Sequence, residues 1–289
     1  MTIEIPPERP GRPADPDLVE RRGQMQAAVD AGTWKTKQPP LETTLAGRRC
    51  LRFKPEGRPR GYLLQLHGGG FRIGRPEFES LFAEALARRC QIEVVVPQYR
   101  LAPEAPFPAG LVDAYETLQA LLDEVGDAPL IVGGDSAGGG LAAALGVLCA
   151  GNNGLRIDGL VLLSPWLDVR VTAPTYASNA ATDPMFSKES ADIAAELYLQ
   201  GFDPTHPLAS PLLAEISAYP PTLISVGTGE VLADDSRLFH AKLLAAGVES
   251  RLSAIDGMNH VAVIQGLTRP GAAETFEEVV AFVERIAAR

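Results

Sequence analysis

The chain has 289 residues, 46% of them hydrophobic, and its 26 basic and 36 acidic side chains give a formal net charge of −10. A chain of this length can bury a large core, and we expect one α/β domain with an appended subdomain. The acidic balance, with no Lys/Arg cluster longer than a pair, argues against nucleic acid and anionic membrane surfaces as partners.

Features that would direct the chain to a membrane or out of the cell are not visible in the sequence. No apolar run approaches the length of a membrane span, and the proline-rich N-terminus lacks the basic and apolar regions of a signal peptide. The three cysteines are far apart, without a C-x-x-C pair, and are typical of free thiols in a reducing compartment. These observations predict a cytoplasmic location.

Apolar periodicity predicts the elements of the chain in order. A helix is expected over residues 17–31, and the pair Pro39 and Pro40 ends this region. The runs that predict strands are residues 61–66, 92–96, 130–132, 159–163, 222–226 and 250–254, and those that predict helices are residues 111–124, 141–149, 236–246 and 271–288. Nearly continuous apolar strands that alternate with helices indicate a mostly parallel sheet, covered on both faces.

One segment, residues 171–213, interrupts the alternation. It has no clear core strand, but it contains turn residues and four aromatic side chains, Tyr176, Phe186, Tyr198 and Phe202. We expect a cap over the carboxyl edge of the sheet, and the alternative is an extra helical pair without a functional role. The predicted organisation is residues 1–45 as the N-terminal helical part of the cap, residues 46–170 and 214–289 as the core, and residues 171–213 as the cap insertion.

The pattern G-x-S-x-G stands at residues 134–138, between an apolar strand and a helix-forming Ala/Leu/Val segment. Glycines flank Ser136 because the turn is too sharp for side chains at those positions. Such a turn lifts the hydroxyl above the edge of the sheet, and it predicts that Ser136 is a nucleophile. Adjacent residues on a sharp turn point in different directions, so we expect Asp135 to serve through a supporting hydrogen bond.

A second glycine-rich motif, His67 followed by three glycines, comes directly after the first core strand. Glycines leave backbone N–H groups uncovered, and an oxyanion hole needs such donors aimed in advance at a tetrahedral intermediate. A flexible turn with an incidental histidine is the alternative. The order of the two motifs along the chain favours the oxyanion hole.

A serine hydroxyl is a weak nucleophile at neutral pH and needs a general base within hydrogen-bond reach. Of the four histidines, His67 belongs to the glycine loop, His206 lies in the predicted cap and His240 lies in a predicted helix. His260 follows the strand predicted at residues 250–254, in a loop at the carboxyl end of that strand. This is the position that a hydrolase base requires, and we predict that His260 is the base.

The carboxylate that orients the imidazole is expected after the strand at residues 222–226, because the chain order is then serine, acid, histidine. Three acids stand there: Glu230, Asp234 and Asp235. Acidic side chains near a helix N-terminus commonly cap it, and this favours a capping role for Asp234 and Asp235.

Further motifs stand in order along the chain. They are Y-R-L-A-P-E at residues 99–104, S-P-W at 164–166, A-S-P-L at 209–212 and P-P-T at 220–222. With the two glycine-rich motifs, they make the chain resemble the hormone-sensitive-lipase-like family of α/β-hydrolase carboxylesterases, from about residue 63 to the C-terminus. The resemblance implies an α/β-hydrolase fold, with a mostly parallel sheet flanked by helices and a helical cap.

The resemblance also implies roles for individual residues. The backbone N–H groups of Gly69, Gly70 and Ala137 would form the oxyanion hole. His67 would brace the glycine loop rather than transfer protons, and Tyr99 would pack beneath the site.

For the acid, the family usually has an aspartate two residues before a leucine and four before a second acid. Glu230 occupies that position relative to Leu232 and Asp234, which is a departure in residue type. Glu230 is therefore the predicted acid, and Asp234 is the main alternative.

The function that the resemblance implies is hydrolysis of carboxylic esters with short-to-medium acyl chains, through an acyl-enzyme. A lactone hydrolase or a small-molecule deacetylase with the same triad is the alternative. A remote alternative is a ligand-binding relative such as the gibberellin receptors of plants, which lack the catalytic histidine. Scattered histidines predict no metal, and the lack of a phosphate-binding glycine pattern predicts no nucleotide cofactor. The expected partner is a small-molecule ester, and a homodimer is an open expectation.

Overall fold

A computed structural model describes residues 3–151 and 155–289. The strands are β1 (Leu41–Leu45), β2 (Arg48–Phe53), β3 (Tyr62–Leu66), β4 (Glu93–Pro97), β5 (Leu130–Asp135), β6 (Gly159–Leu163), β7 (Thr222–Gly227) and β8 (Ser250–Ile255). They form an eight-stranded sheet in the order β1-β2-β4-β3-β5-β6-β7-β8. Strands β3 to β8 are parallel to one another, and β1 and β2 pair antiparallel at one side. The predicted strands and the mostly parallel sheet are confirmed.

Helices surround this sheet. They are α1 (Pro16–Asp30), α2 (Ser80–Cys90), α3 (Ala109–Val125), α4 (Ala137–Ala150), α5 (Thr175–Ser178), α6 (Lys188–Leu199), α7 (Ala233–Ala245), α8 (Ala262–Gln265) and α9 (Ala272–Ala287). The five predicted helices are confirmed, although α4 begins at Ala137 rather than near residue 141. No helix in the described part of the chain is long and apolar enough to cross a membrane.

The core consists of two apolar clusters, one on each face of the sheet. Side chains alternate between the faces along a strand, so Leu64 and Leu66 of β3 belong to the cluster with α3, α4 and α7. Leu63 belongs to the other cluster, with α2 and α9. Each of these leucines is fully buried, and burial of a leucine side chain contributes about 1.5–3 kcal/mol.

Two elements of the sheet region are not predicted by the apolar pattern. The β1–β2 hairpin is one of them, because Thr and Arg side chains interrupt its apolar residues. Strand β1 pairs with β2, so the sheet starts at Leu41 rather than at the predicted boundary of residue 46. Helix α2 is the other; its buried residues Phe82, Leu86 and Cys90 recur every four residues, which is a helical signal.

Residues 171–213, all of them described, form α5, α6 and a 3-10 turn at Pro211–Leu213, and they contain no strand. Tyr198 of α6 stacks on Phe71 of the glycine loop, with ring centroids 3.8 Å apart. The N-terminal segment lies against the same region, because Arg12 forms an ion pair with Glu196 of α6. The 171–213 insertion therefore contacts the glycine loop, and the N-terminal segment contacts the insertion.

Candidate active site

Ser136 occupies the sharp turn between β5 and α4. Its backbone has φ 51° and ψ −119°, a region that residues with a side chain rarely adopt and that costs free energy unless the surroundings enforce it. The Ser136 N–H donates to the Leu163 carbonyl at 2.9 Å, and the Ser136 carbonyl accepts from the Trp166 N–H at 2.9 Å. A Cβ at Gly138 would lie 2.0 Å from the Leu66 carbonyl oxygen, so this glycine is required.

The three residues of the predicted triad meet at the carboxyl edge of the sheet. His260 Nε2 lies 3.0 Å from Ser136 Oγ, and His260 Nδ1 lies 2.7 Å from Glu230 Oε2. Ser136 and His260 are each 6% exposed and Glu230 is 1% exposed. Because a carboxylate can only accept, Nδ1 donates to Glu230 and Nε2 is left to accept the serine proton.

The surroundings of His260 make it a stronger base than an ordinary histidine. Burial lowers the pKa of His260, but the hydrogen bond and the negative charge of Glu230 outweigh burial, so the pKa is raised. The charges of Asp183 and Asp135 act in the same direction. A raised pKa favours the protonated imidazole that forms when the serine proton is taken.

Glu230 is held in place by two donors besides His260. Its Oε1 accepts from the Ser164 hydroxyl at 2.8 Å and from the Gly227 N–H at 2.6 Å. The Ser164 oxygen also accepts from the Val261 N–H at 3.2 Å. One hydroxyl therefore joins the loop of the acid to the loop of the base. The residue pattern alone does not assign this role to Ser164, although its position just after β6, in the S-P-W motif, is a signal that points to it.

The other two candidate acids lie away from His260. Asp234 forms an ion pair with Arg237 at 3.2 Å. Asp235 is buried and accepts from the N–H groups of Leu167 and Asp168, at 2.9 and 3.1 Å. Both acids lie in the first turn of α7, as expected, but the helix has no side-chain capping hydrogen bond, so the predicted capping bond is wrong. The Asp235 carboxylate instead stabilises the loop after β6.

The glycine loop presents free donors beside Ser136. Gly69 has φ 118°, and a Cβ there would lie 2.1 Å from the Ile73 carbonyl oxygen. Within residues 3–151 and 155–289, the N–H groups of Gly69, Gly70 and Ala137 donate to no acceptor. Free, preorganised donors are what an oxyanion hole requires.

Buried side chains brace this loop from below. His67 Nδ1 donates to the Gly68 carbonyl at 2.8 Å, and its ring stacks on Tyr99 at a centroid distance of 4.1 Å. The Tyr99 hydroxyl donates to the His67 carbonyl at 2.7 Å. Burial lowers the pKa of His67 to about 4, so the ring is neutral at physiological pH. His67 and Tyr99 therefore occupy the supporting positions that the resemblance implies.

Asp135 makes the supporting hydrogen bond expected of it, because its Oδ1 accepts from the Gly68 N–H at 2.8 Å. It also shares a hydrogen bond with the carboxyl group of Glu79, which in turn accepts from Gln65 Nε2 at 3.0 Å. Burial raises the pKa of Asp135 to about 6 and raises that of Glu79 well above its usual range. Burial therefore favours the form in which the two carboxyl groups share a proton. No sequence motif points to Glu79.

A cavity of about 280 Å³ opens onto Ser136 and His260. Phe186, from the 171–213 insertion, stacks on the His260 ring at a centroid distance of 5.7 Å. The other apolar lining residues come from α1, the turn after it, the glycine loop, the 3-10 turn at Pro76–Glu79, the insertion, and α8 with the residue that leads into it. They are Met25, Trp34, Ile73, Phe78, Met185, Val261 and Ile264. Two basic residues, Arg21 and Arg72, also line the cavity. In the described parts of the chain, no three His, Cys, Asp or Glu side chains come together as a metal site.

Comparisons with known proteins agree with this geometry. The protein family described as alpha/beta hydrolase fold matches residues 63–264. An esterase of Acinetobacter venetianus is 33% identical over 216 residues, which cover 74% of this chain and 71% of the esterase. An acetyl-hydrolase of Streptomyces hygroscopicus is 35% identical over 227 residues, covering 77% of this chain and 75% of that protein. The solved structure of a hormone-sensitive lipase from a metagenome library has a TM-score of 0.87 and 31% identity, covering 96% of this chain and 93% of that one.

Proposed function

The chain belongs to the hormone-sensitive-lipase-like family of α/β hydrolases and hydrolyses carboxylic esters, and we propose that it does so through an acyl-enzyme formed on Ser136. The observation that carries the proposal is the line of hydrogen bonds from Glu230 through His260 to the Ser136 hydroxyl. A nucleophile, a base and an orienting acid within hydrogen-bond reach are the requirement for this chemistry.

Acylation begins when His260 Nε2 takes the proton of Ser136 as its oxygen attacks the ester carbonyl carbon. Glu230 stabilises the imidazolium that forms. His260 then passes the proton to the oxygen of the leaving alcohol, and the acyl group remains on Ser136. A water molecule, activated by the same histidine, hydrolyses the acyl-enzyme and regenerates the serine.

The negative charge that develops on the carbonyl oxygen is stabilised by backbone donors. We assign this role to the N–H groups of Gly69, Gly70 and Ala137, because no acceptor elsewhere in the described residues uses them. Loss of a single donor of this type typically reduces kcat by about 10²–10³-fold.

The size of the cavity supports short-to-medium acyl chains. Its volume of about 280 Å³ lies near the lower end of the range for small-molecule sites, about 300–1,000 Å³. Side chains from α1 and from the 171–213 insertion form its walls, which supports a cap role for both segments. The cytoplasmic location and the homodimer stay predictions, which cell fractionation and size-exclusion chromatography test.

Removal of an acetyl group from a small molecule is the second candidate, and the likeness to an acetyl-hydrolase favours it. It needs the same triad and differs only in the substrate. A series of p-nitrophenyl acetate, butyrate and hexanoate, compared with small lactones and O-acetylated compounds, separates these activities. A ligand-binding protein without turnover would release no p-nitrophenol from any of these esters.

The direct experiment replaces Ser136 with alanine. We expect kcat on p-nitrophenyl butyrate to fall by at least about 10³-fold, because the nucleophile is lost, and labelling by a fluorophosphonate to disappear. Ser217→Ala is the matched control, since Ser217 is exposed, and it should leave both readouts unchanged. Turnover or labelling that persists in Ser136→Ala would contradict the assignment.

A further inference from the structure

We propose that the preferred ester substrates carry a carboxylate, which Arg21 and Arg72 bind at the mouth of the catalytic cavity. This inference rests on the proposed function and names the substrate class of the same site. The proposal depends on one observation: both guanidinium groups line the cavity, and neither has a counter-ion among the described residues.

Arg72 follows the oxyanion glycines and is half-buried beside them. Its Nη2 donates to the Ser190 hydroxyl of α6 at 3.0 Å, and it forms no ion pair with any described carboxylate. The Arg72 carbonyl accepts from Arg22 Nε at 2.9 Å, which fixes the backbone. Taking a charge out of water without a counter-ion costs free energy. A substrate carboxylate would supply the counter-ion that this guanidinium lacks.

Arg21 adds a second positive charge to the same cavity. It is exposed on α1, and its side chain makes no hydrogen bond or ion pair in the portion of the chain that the structure describes. Burial lowers the pKa of Arg72, and the charge of Arg21 lowers it further, while Asp15 opposes this. The side chain of Asp15 is used by the Leu18 N–H at the start of α1. Arg21 and Arg72 therefore place two like charges at one cavity, in a protein of net charge −10.

Acids within the cavity do not neutralise this pair. Glu79 and Asp135 line its floor, but they share a hydrogen bond, and burial raises the pKa of both carboxyl groups. Their remaining bonds are to Gln65 Nε2 and the Gly68 N–H. Among the described residues, neither of these acids forms an ion pair or hydrogen bond with Arg21 or Arg72, so both guanidinium groups are left for a ligand.

Arginines near the catalytic cavity differ from Arg21 and Arg72, because they form ion pairs. A larger cleft of about 810 Å³ lies beside the catalytic cavity and is lined by five of them. Each has a carboxylate within ion-pair distance: Arg22 with Glu104, Arg48 with Asp113, Arg49 with Glu42, Arg75 with Glu77, and Arg100 with Glu8. These five ion pairs connect segments of the protein to one another, so their arginines are not available to a ligand. Arginines without such partners lie where Ser136 and His260 act, and guanidinium is well suited to bind a carboxylate.

The experiment compares anionic esters with neutral esters of similar size. Monomethyl adipate is paired with methyl heptanoate, which places the charge on the acyl side. A 4-acetoxybutyrate is paired with pentyl acetate, which places it on the alcohol side. We expect kcat/KM for the preferred anionic ester to exceed that of its neutral partner by about 10-fold or more at low salt, chiefly through KM, and the excess to shrink as salt screens the charges.

Variants then test the two arginines. In Arg72→Met and in Arg21→Met, the ratio of kcat/KM for the anionic ester to that for the neutral ester should fall by about 5–10-fold. Arg21 is exposed on its helix, so its variant tests the proposal even where Arg72→Met fails to fold. Arg58→Met is the control, because Arg58 is exposed in the loop before β3, at the opposite edge of the sheet, and its ratio should equal that of the wild type.

The outcomes are distinguishable. A wild-type protein that cleaves neutral esters at least as well as both anionic esters would overturn this inference alone. A ratio that does not change in either arginine variant would do the same. A wild-type protein that cleaves no ester of any kind would overturn the proposed function, and this inference with it.

Discussion

Replacement of Glu230 by glutamine removes one charge beside His260 with little change in shape. Glu230 Oε2 lies 2.7 Å from His260 Nδ1, and both side chains are buried. When His260 takes the serine proton it becomes a cation. Opposite charges about 4 Å apart attract by about 4 kcal/mol at an effective dielectric constant of about 20. An increase of about 1.4 kcal/mol in the activation free energy lowers the rate tenfold. We therefore expect kcat to fall by about 10³-fold.

The same variant has a signature in its pH profile. His260 must be neutral to act as a base, so activity is lost as the pH falls through its pKa. In the wild type, burial lowers this pKa and Glu230 raises it above the ordinary value. Without the carboxylate the effect of burial remains, so the acidic limb of kcat/KM should move to lower pH.

The assay is p-nitrophenyl butyrate hydrolysis from about pH 5 to about pH 9, with thermal unfolding to show that each variant is folded. Asp234→Asn is the matched control, because it makes the same acid-to-amide change at the other candidate, which pairs with Arg237. It should stay within about twofold of the wild type. A thousandfold loss in Asp234→Asn, with near-normal turnover in Glu230→Gln, would refute the reasoning. An unshifted acidic limb in Glu230→Gln would refute the electrostatic part.

Two further predictions concern the supporting side chains. Ser164→Ala removes one donor to Glu230. Hydrogen bonds to charged groups contribute about 1.5–3 kcal/mol, so kcat/KM should fall by about 10-fold or more. A change of less than twofold would contradict this role. Glu79→Gln removes a buried acid whose folded-state pKa is raised above its ordinary value. Such a group stabilises the fold at low pH and loses this contribution as the pH rises. Urea unfolding at about pH 5 and about pH 8 should therefore show the variant gaining stability relative to the wild type at the higher pH, and a pH-independent difference would count against the prediction.

Much of the fold follows from local pattern. Parallel strands buried on both faces need long apolar runs, such as residues 159–163, and these runs coincide with β6. The β1–β2 hairpin lies at the edge of the sheet, where polar side chains are tolerated, and its sequence LETTL carries little strand signal. Helix α4 starts earlier than its apolar run because the glycines of the serine motif already form its first turn.

The sequence by itself determined which loops hold the chemistry. Ser136 and His260 each follow a strand, and the carboxyl ends of parallel strands lie at one edge of a sheet. Their approach could therefore be predicted before any coordinate was known. A short acidic stretch such as residues 230–235 does not encode which carboxylate faces the imidazole, because that depends on the path of the turn after β7.

Tertiary structure alone decided the remaining contacts. Glu230 meets Ser164 across 66 residues of chain, and the pairing of Glu79 with Asp135 likewise joins distant segments. Arg22 of α1 donates to the Arg72 carbonyl just after the glycine loop, across 50 residues of chain. These contacts form when separate elements pack, and the physical reason they escape prediction is that periodicity reports only whether a residue is buried. It does not report which distant side chain that residue will meet.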